Sequence, residues 1–382
     1  MTVLKNLFLA LIGLAWALPA DAARPVSQSE LRRAAPGDIL RIKPLPGGAP
    51  NGVRAYQIFY RSIGLRDEPI LVSGALFYAD GDEPRRRPVV AWAHPTTGVT
   101  RNCSPTRHTD VYNRIPGMDR MMAEGFIVVA TDYAGFASLP PHPYLVGESQ
   151  ARAVLDSVRA VRQLRNARAS DRFIVWGHSQ GGHAALFTGE LQPAYAPDLG
   201  LAGVVAAAPA TRLADLFKSD AGTVWGNALT AMTLYSWSHI YGIPASTVVH
   251  GDVVPAFQRL GRDCIDSLSG VIKVLQDAKP LERRFFKRDP TEVPQWRQIM
   301  DENSPGKRPI RAPVLIAQGR KDNIVPYAVT RRFAADSCSL GTPIQFLDMP
   351  GAGHVYAAEQ SARRSIQWIK DRFAGRRIRN WC

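Results

Sequence analysis

Acidic residues are the scarce class in this chain: 33 Asp and Glu stand against 47 Lys and Arg, a formal net charge of +14 over 382 residues. Such an excess raises nucleic acid or an anionic surface as a partner. No nucleic-acid motif accompanies it, and the basic runs Arg85–Arg87, Arg331-Arg332 and Arg376-Arg377 stand far apart. Nucleic acid is therefore not expected as a partner. Cysteine is scarce too, with four residues and no C-x-x-C spacing, which argues against zinc and thioredoxin-like sites. His108, His142, His239 and His250 show no metal-ligand spacing, so no metal or other cofactor is expected. Past residue 22 no run approaches the ~20 apolar residues of a membrane span. Internal repeats and low-complexity tracts are absent. With 46% hydrophobic and 21% charged residues, collagen-like and wholly disordered readings fall away. A chain of this length can bury a large core without metals or staples.

What is present starts at the N-terminus. Leu7 to Leu18 form an apolar run, preceded by Lys5 and followed by Pro19-Ala20-Asp21-Ala22. That is the length of a signal-peptide core, and Ala20 and Ala22 supply the small residues of an A-x-A cleavage site. The pattern predicts a signal peptide over residues 1–22 and a secreted mature chain, extracellular or periplasmic, over 23–382. Cleavage would remove Lys5 and Asp21 and leave the net charge at +14. In an oxidising compartment the even count of Cys103, Cys264, Cys338 and Cys382 predicts two disulfides. Three pairings are open at this point.

The rest of the chain alternates. Residues 55–62 and 70–78 read as strands, with a turn at Asp80–Pro84. The runs PVVAWA (88–93), FIVVAT (126–131), FIVW (173–176), VVAAA (204–208), VLIA (314–317) and IQFL (344–347) are short and continuously apolar. Runs of that kind belong to strands buried on both faces. Helical patterns fall over 115–124, 148–165, 181–191, 327–335 and 357–373. Strands alternating with helices predict an α/β fold, a mostly parallel central sheet flanked by helices. Between 211 and 306 no buried strand appears, and so long an unstructured loop is improbable. The interval is expected to be an inserted helical subdomain.

Chemistry collects at the strand ends. FIVW runs directly into Gly177-His178-Ser179-Gln180-Gly181-Gly182, a G-x-S-x-G motif with a strand before it and a helix after it. In that context the turn is tight and holds the Ser179 hydroxyl at the top of the sheet. A serine needs a base to act as a nucleophile, and the base needs an orienting acid. Elbow enzymes place them in the order Ser, acid, His. Asp322 lies in the turn that follows VLIA, and His354 lies in a Gly-rich loop after IQFL. Ser179, His354 and Asp322 are thus expected as nucleophile, general base and orienting carboxylate. Asp252, in TVVHGDVVP, mimics the acid loop but precedes the strand-and-histidine pair; Asp348 belongs to the end of the last strand. His178 and His183 flank the elbow and are read as packing or supporting residues. For the oxyanion, one expected donor is the backbone N–H of Gln180. The other comes from the loop after PVVAWA, His94-Pro95-Thr96-Thr97-Gly98. Proline lacks an N–H, so the second donor is placed on Thr96. Asp132-Tyr133-Ala134-Gly135 leaves its strand toward the same edge, which makes Tyr133 a candidate substrate contact.

These motifs and the strand alternation resemble the α/β-hydrolase fold over nearly all of residues 50–375. More narrowly, HPTTG, DYAG, GHSQGG, the long insertion before the acid and the cysteine positions are similar to the secretory lipases. That resemblance implies a helical cap at about 211–306, the disulfides Cys103–Cys264 and Cys338–Cys382, and hydrolysis of triacylglycerols or shorter acyl esters through an acyl-enzyme. The expected partners are a small-molecule or lipid ester and, peripherally, a lipid interface, with the chain a monomer. A secreted peptidase or other acyl hydrolase on the same fold is the enzymatic alternative. A non-catalytic binding or adhesion module is the alternative of another class.

Overall fold

The structure, a computed structural model, describes residues 24–382 apart from 82–84 and 139–140. The expected leader over 1–22 and most of the turn at Asp80–Pro84 therefore lie outside the described residues. The strands among the described residues are β1 (Ile39–Pro44), β2 (Val53–Ile63), β3 (Pro69–Ala79), β4 (Arg87–Ala93), β5 (Ile127–Thr131), β6 (Ala169–His178), β7 (Gly200–Ala207), β8 (Val314–Gly319) and β9 (Ile344–Met349). They form one sheet in the order β1-β2-β3-β5-β4-β6-β7-β8-β9. The β1–β2, β2–β3 and β3–β5 pairs are antiparallel. From β5 through β4 to β9 every pairing is parallel.

The inner parallel strands β5, β4, β6, β7 and β8 are apolar in their central segments because both of their faces are covered. By contrast β9, expected to be buried on both faces at IQFL, is the edge strand and is only half-buried over 345–348. Val89, Val129, Val175, Val204 and Ile316 belong to one apolar cluster, together with Val154 and Val158 of α3 (Gly147–Arg162) and Ala184 of α4 (Gln180–Tyr195). Their neighbours Val90, Val128, Ile174, Val205 and Leu315 belong to a second cluster, with Met121 of α2 (Met118–Ala123). Each buried Val, Leu, Ile or Met side chain among them contributes about 1.5–3 kcal/mol of hydrophobic stabilisation. Period-2 side-chain alternation thus distributes one apolar run over two interfaces. Two short elements at the N-terminal side were not expected. α1 (Gln28–Arg33) is opened by a capping box between Ser27 and Glu30, and β1 adds an antiparallel edge strand. The helix expected over 115–124 begins only at Met118, because Gly117 precedes it with φ +68, a left-handed conformation.

Between β7 and β8 the described chain is helical: α5 (Leu213–Asp220), α6 (Val224–Tyr241), α7 (Val254–Leu260), α8 (Leu268–Arg284) and α9 (Pro294–Glu302). They bury a third cluster of their own, with Met232, Trp237, Phe257, Leu281 and Trp296 among its members. That cluster also contains Val99, Tyr144, Leu145 and Val325. These residues sit in loops after β4, β5 and β8, so the insertion packs on the carboxyl edge of the sheet. Polar stitches fasten it there. Ser236 Oγ donates to His142 O at 2.7 Å, and Trp237 Nε1 donates to Tyr144 O at 2.8 Å. Cys103 is bonded to Cys264, between α7 and α8. After β8 come α10 (Tyr327–Ser339) and, beyond β9, α11 (Ala357–Phe373). α11 packs Ile366 and Ile369 into the second cluster. Cys338 on α10 is bonded to Cys382. Among the described residues no helix is long and apolar enough to cross a membrane.

Candidate active site

Ser179 occupies the turn between β6 and α4 with φ +55 and ψ −116. For a residue with a Cβ that conformation costs on the order of 1–3 kcal/mol, held by the surrounding fold. The two glycines around it make the turn sterically feasible. A Cβ on Gly177 would come within 1.9 Å of Gly181 O, and one on Gly181 within 1.8 Å of Ala93 O. The same close approach sets the elbow against the end of β4, where the loop 94–98 begins. Ser179 N–H donates to Ala207 O at 2.9 Å, which fixes the turn to β7.

The other two candidate residues arrive from the next strands. His354 Nε2 lies 2.8 Å from Ser179 Oγ, and His354 Nδ1 lies 2.9 Å from Asp322 Oδ2. Gly319 lets their loops meet, since a Cβ there would lie 2.2 Å from Ala352 O. Asp322 and His354 are each only 7% exposed, while Ser179 is half-buried. The Asp322 carboxylate is saturated with donors. Oδ1 accepts from Ile324 N at 3.0 Å and Val325 N at 2.7 Å, and Oδ2 also accepts from Gln318 Nε2 at 2.9 Å. Burial pushes its pKa up, but the hydrogen bond and charge of His354 and the two backbone N–H groups outweigh it and hold the carboxyl below its ordinary value. An ionised Asp322 fixes the proton of His354 on Nδ1 and leaves Nε2 free to accept from the serine.

The flanking residues serve as support. His178 Nε2 donates to His354 O at 2.9 Å. Burial pulls the His178 pKa down to about 3, and the neighbouring His354 pushes the same way, so this ring is neutral. Gln180 opens α4, so its backbone N–H has no acceptor within the helix and is free to face the elbow. Its side chain is anchored below: Nε2 donates to His142 Nε2 at 2.7 Å and to Gln150 Oε1 at 2.8 Å. Gln150 Nε2 in turn donates to His183 Nδ1 at 2.8 Å, and His183 Nε2 donates to Asn303 O at 2.8 Å. This buried relay runs from the elbow to the end of α9. Neither His142, Gln150 nor Gln318 carries a sequence signal, because each acts across 30 residues or more, or through a side chain already inside a strand.

Thr96 is half-buried, and its Oγ1 is hydrogen-bonded to Tyr144 OH at 2.8 Å. The loop that carries it is pinned by Ile265 N, which donates to Thr97 O at 3.0 Å beside the Cys103–Cys264 disulfide. Tyr133 departs from its expected place. Its side chain is 0% exposed and its hydroxyl donates to His94 O at 3.1 Å, so it props the 94–98 loop from behind instead of facing open space. Asp132 beside it is also buried, accepting from Ser73, Ser104 and Thr106. The decoy acids stay outside. Asp348 pairs with Arg320 Nε at 2.9 Å, and Asp252 is an exposed partner of Arg284 at 3.8 Å. One acid that no motif announces lies close by. Burial pushes Asp220, at the end of α5, up to about 7, and the charge of Asp322 adds to the rise. Among the described residues no cluster of His, Cys, Asp or Glu has the makings of a metal site.

Set beside known proteins, residues 115–380 match the model of the secretory lipase family. Lipase 5 of Candida albicans is 23% identical, over 91% of this chain and 80% of its own length. A Mycobacterium tuberculosis protein named a "probable inactive lipase" is 24% identical, over 94% of this chain and 83% of its own. Among solved structures, Candida antarctica lipase A in its closed state superposes with a TM-score of 0.77 at 19% identity, covering 96% of this chain and 89% of that one. The architecture is accordingly the α/β-hydrolase fold.

Proposed function

The chain belongs to the secretory lipase family, and from that premise we propose that it cleaves carboxylic esters through Ser179, His354 and Asp322. Support comes above all from the hydrogen-bonded run Ser179 Oγ–His354–Asp322 at the carboxyl edge of the sheet. Ser179 Oγ attacks the ester carbonyl while His354 Nε2 takes its proton. The tetrahedral oxyanion is held by the backbone N–H groups of Gln180 and Thr96, donors of a kind worth about 10²–10³-fold in rate each. His354 then gives the proton to the departing alcohol, and water, deprotonated by the same nitrogen, releases the acid from the acyl-enzyme. Asp322 holds the imidazole in its orientation and stabilises the imidazolium.

Residues 211–306 act as a cap over this edge, and their apolar residues supply the acyl-binding surface. Leu268, 78% exposed on the first turn of α8, and Val355, 67% exposed beside His354, offer apolar contacts to a lipid interface. Triacylglycerols or shorter acyl esters are the substrate class, and the enzyme is a monomer exported by its leader over 1–22. The test is a substrate series: p-nitrophenyl esters of increasing chain length, emulsified triacylglycerol and an aminoacyl-arylamide. Turnover of the esters with none of the arylamide is expected. Preference for the arylamide would make the enzyme a peptidase, and no turnover of any would make the chain a binding protein.

A further inference from the structure

A strongly basic feature of the molecule lies away from the triad. Between α2, α11 and the strands β8 and β9 opens a cavity of about 770 Å³ lined by Arg120, Arg363, Arg364, Arg372, Arg377 and Arg379. Its floor includes Leu315 and Gln345, which pair with each other near the start of β8 and β9. β8 ends four residues beyond Leu315, at Gly319, about 13 Å further along at ~3.3 Å per residue. Asp322 lies beyond that end, so the groove and the triad are separate places.

Its positive charge is uncompensated. The acids that line it, Glu124 and Asp371, are already paired with Lys370 and Arg376. None of the six arginines makes an ion pair among the described residues. Arg372 is the most unusual of them. It is 7% exposed, lies over the Trp368 ring at 5.3 Å, and its buried Nε–H has no acceptor. A buried guanidinium donor left without an acceptor is unfavourable for the fold unless a ligand supplies one. Burial lowers the Arg372 pKa, and the charge of Asp371 offsets that only in part. A fold that concentrates six arginines and buries one without an acceptor has the donor set of an anion site.

We propose that this groove binds a compact, multiply charged anion of the phosphate class, free or carried by a lipid headgroup. The guanidinium fork matches tetrahedral oxyanions through paired, charge-assisted hydrogen bonds. The volume suits a headgroup-sized ligand. An oligonucleotide fits less well, since Trp368, the aromatic residue of the groove, is only 5% exposed and offers no face for base stacking.

Calorimetric titration of the whole protein with inorganic tripolyphosphate tests this. One equivalent binds, more weakly as salt is raised, and Arg363→Ala/Arg379→Ala lowers affinity at least tenfold. Arg372→Gln does the same, and each variant keeps its rate on a water-soluble short-chain ester, which shows that it is folded. Co-sedimentation with phosphatidylcholine vesicles, with and without phosphatidic acid, separates the two sources. Capture by the acidic vesicles, competed by tripolyphosphate, assigns a lipid headgroup; calorimetric binding without vesicle capture assigns a free anion. Absence of binding in both arms, binding unchanged in the variants, or single-stranded DNA binding tighter than tripolyphosphate would each overturn the proposal.

Discussion

Asp322→Asn is the substitution whose outcome the surroundings determine most sharply. The carboxylate accepts on both oxygens, from two backbone N–H groups on Oδ1 and from His354 and Gln318 on Oδ2. An asparagine must put its NH₂ on one side or the other. Facing Ile324 and Val325, it opposes two donors that cannot turn. Facing Gln318 and His354, it opposes one amide donor and forces the imidazole proton from Nδ1 to Nε2. In that tautomer His354 donates to Ser179 and can no longer accept its proton. An equivalent tautomer change in a serine protease lowers kcat by about 10⁴, which corresponds to about 5.5 kcal/mol. A comparable loss of kcat is expected here with KM changed only a few-fold. In that orientation the opposed Gln318 amide donor also lowers stability by about 1–3 kcal/mol. Initial rates on p-nitrophenyl butyrate and urea denaturation measure both effects. Asp348→Asn and Asp252→Asn, which alter exposed pairs with Arg320 and Arg284, leave the rate within a factor of two. Retention of a tenth or more of wild-type kcat by Asp322→Asn would refute the reasoning.

Three further outcomes follow from other parts of the structure. Gly181→Ala drives a methyl into the Ala93 carbonyl and is expected to abolish soluble expression or activity, read by yield and near-UV circular dichroism. Replacing Cys103 and Cys264 by serine opens a loop of 161 residues, against 44 for Cys338 and Cys382. Loop entropy sets upper limits of about 5 and about 4 kcal/mol, so the first pair is expected to lower the urea midpoint more. His183, whose pKa burial pulls down to about 4, charges in the unfolded chain below about 6.5. The unfolded state then binds the extra proton, so this stability is present above pH 6.5 and lost as pH falls toward 4. His183→Gln should flatten the pH dependence by about 1.4 kcal/mol per unit between pH 6 and 4.5, and an unchanged slope in pH-stepped urea titrations counts against it.

The strands carrying the site were legible because a doubly covered strand must be apolar on both sides, and five such runs stand out; the sixth apolar run, IQFL, forms the half-buried edge strand β9. The elbow was legible because only glycine tolerates its neighbours' approach. Less visible was anything that depends on side chains meeting across the chain. His142 and Gln150 converge on Gln180 from 38 and 30 residues away, and no local pattern marks them. Asp220 is an unremarkable helix-terminal acid until the insertion folds over the sheet edge. Tyr133 was misplaced for a related reason: its strand points to the right edge, but its φ of +66 turns the ring inward beneath His94. α1 is different, since its Ser27–Glu30 capping box was in plain view. Six residues gave too little periodicity for it to be read as a helix.

The central claim is that Ser179 forms a covalent acyl-enzyme with His354 as its base. Its most direct test is intact-mass analysis after exposure to a p-nitrophenyl alkylphosphonate, which mimics the tetrahedral intermediate and stays bound. One adduct per chain is expected, mapped by peptide sequencing to Ser179, with no adduct and at least a ~10⁴-fold loss of ester hydrolysis in Ser179→Ala. An adduct on any other residue, or wild-type hydrolysis by Ser179→Ala, would contradict the account.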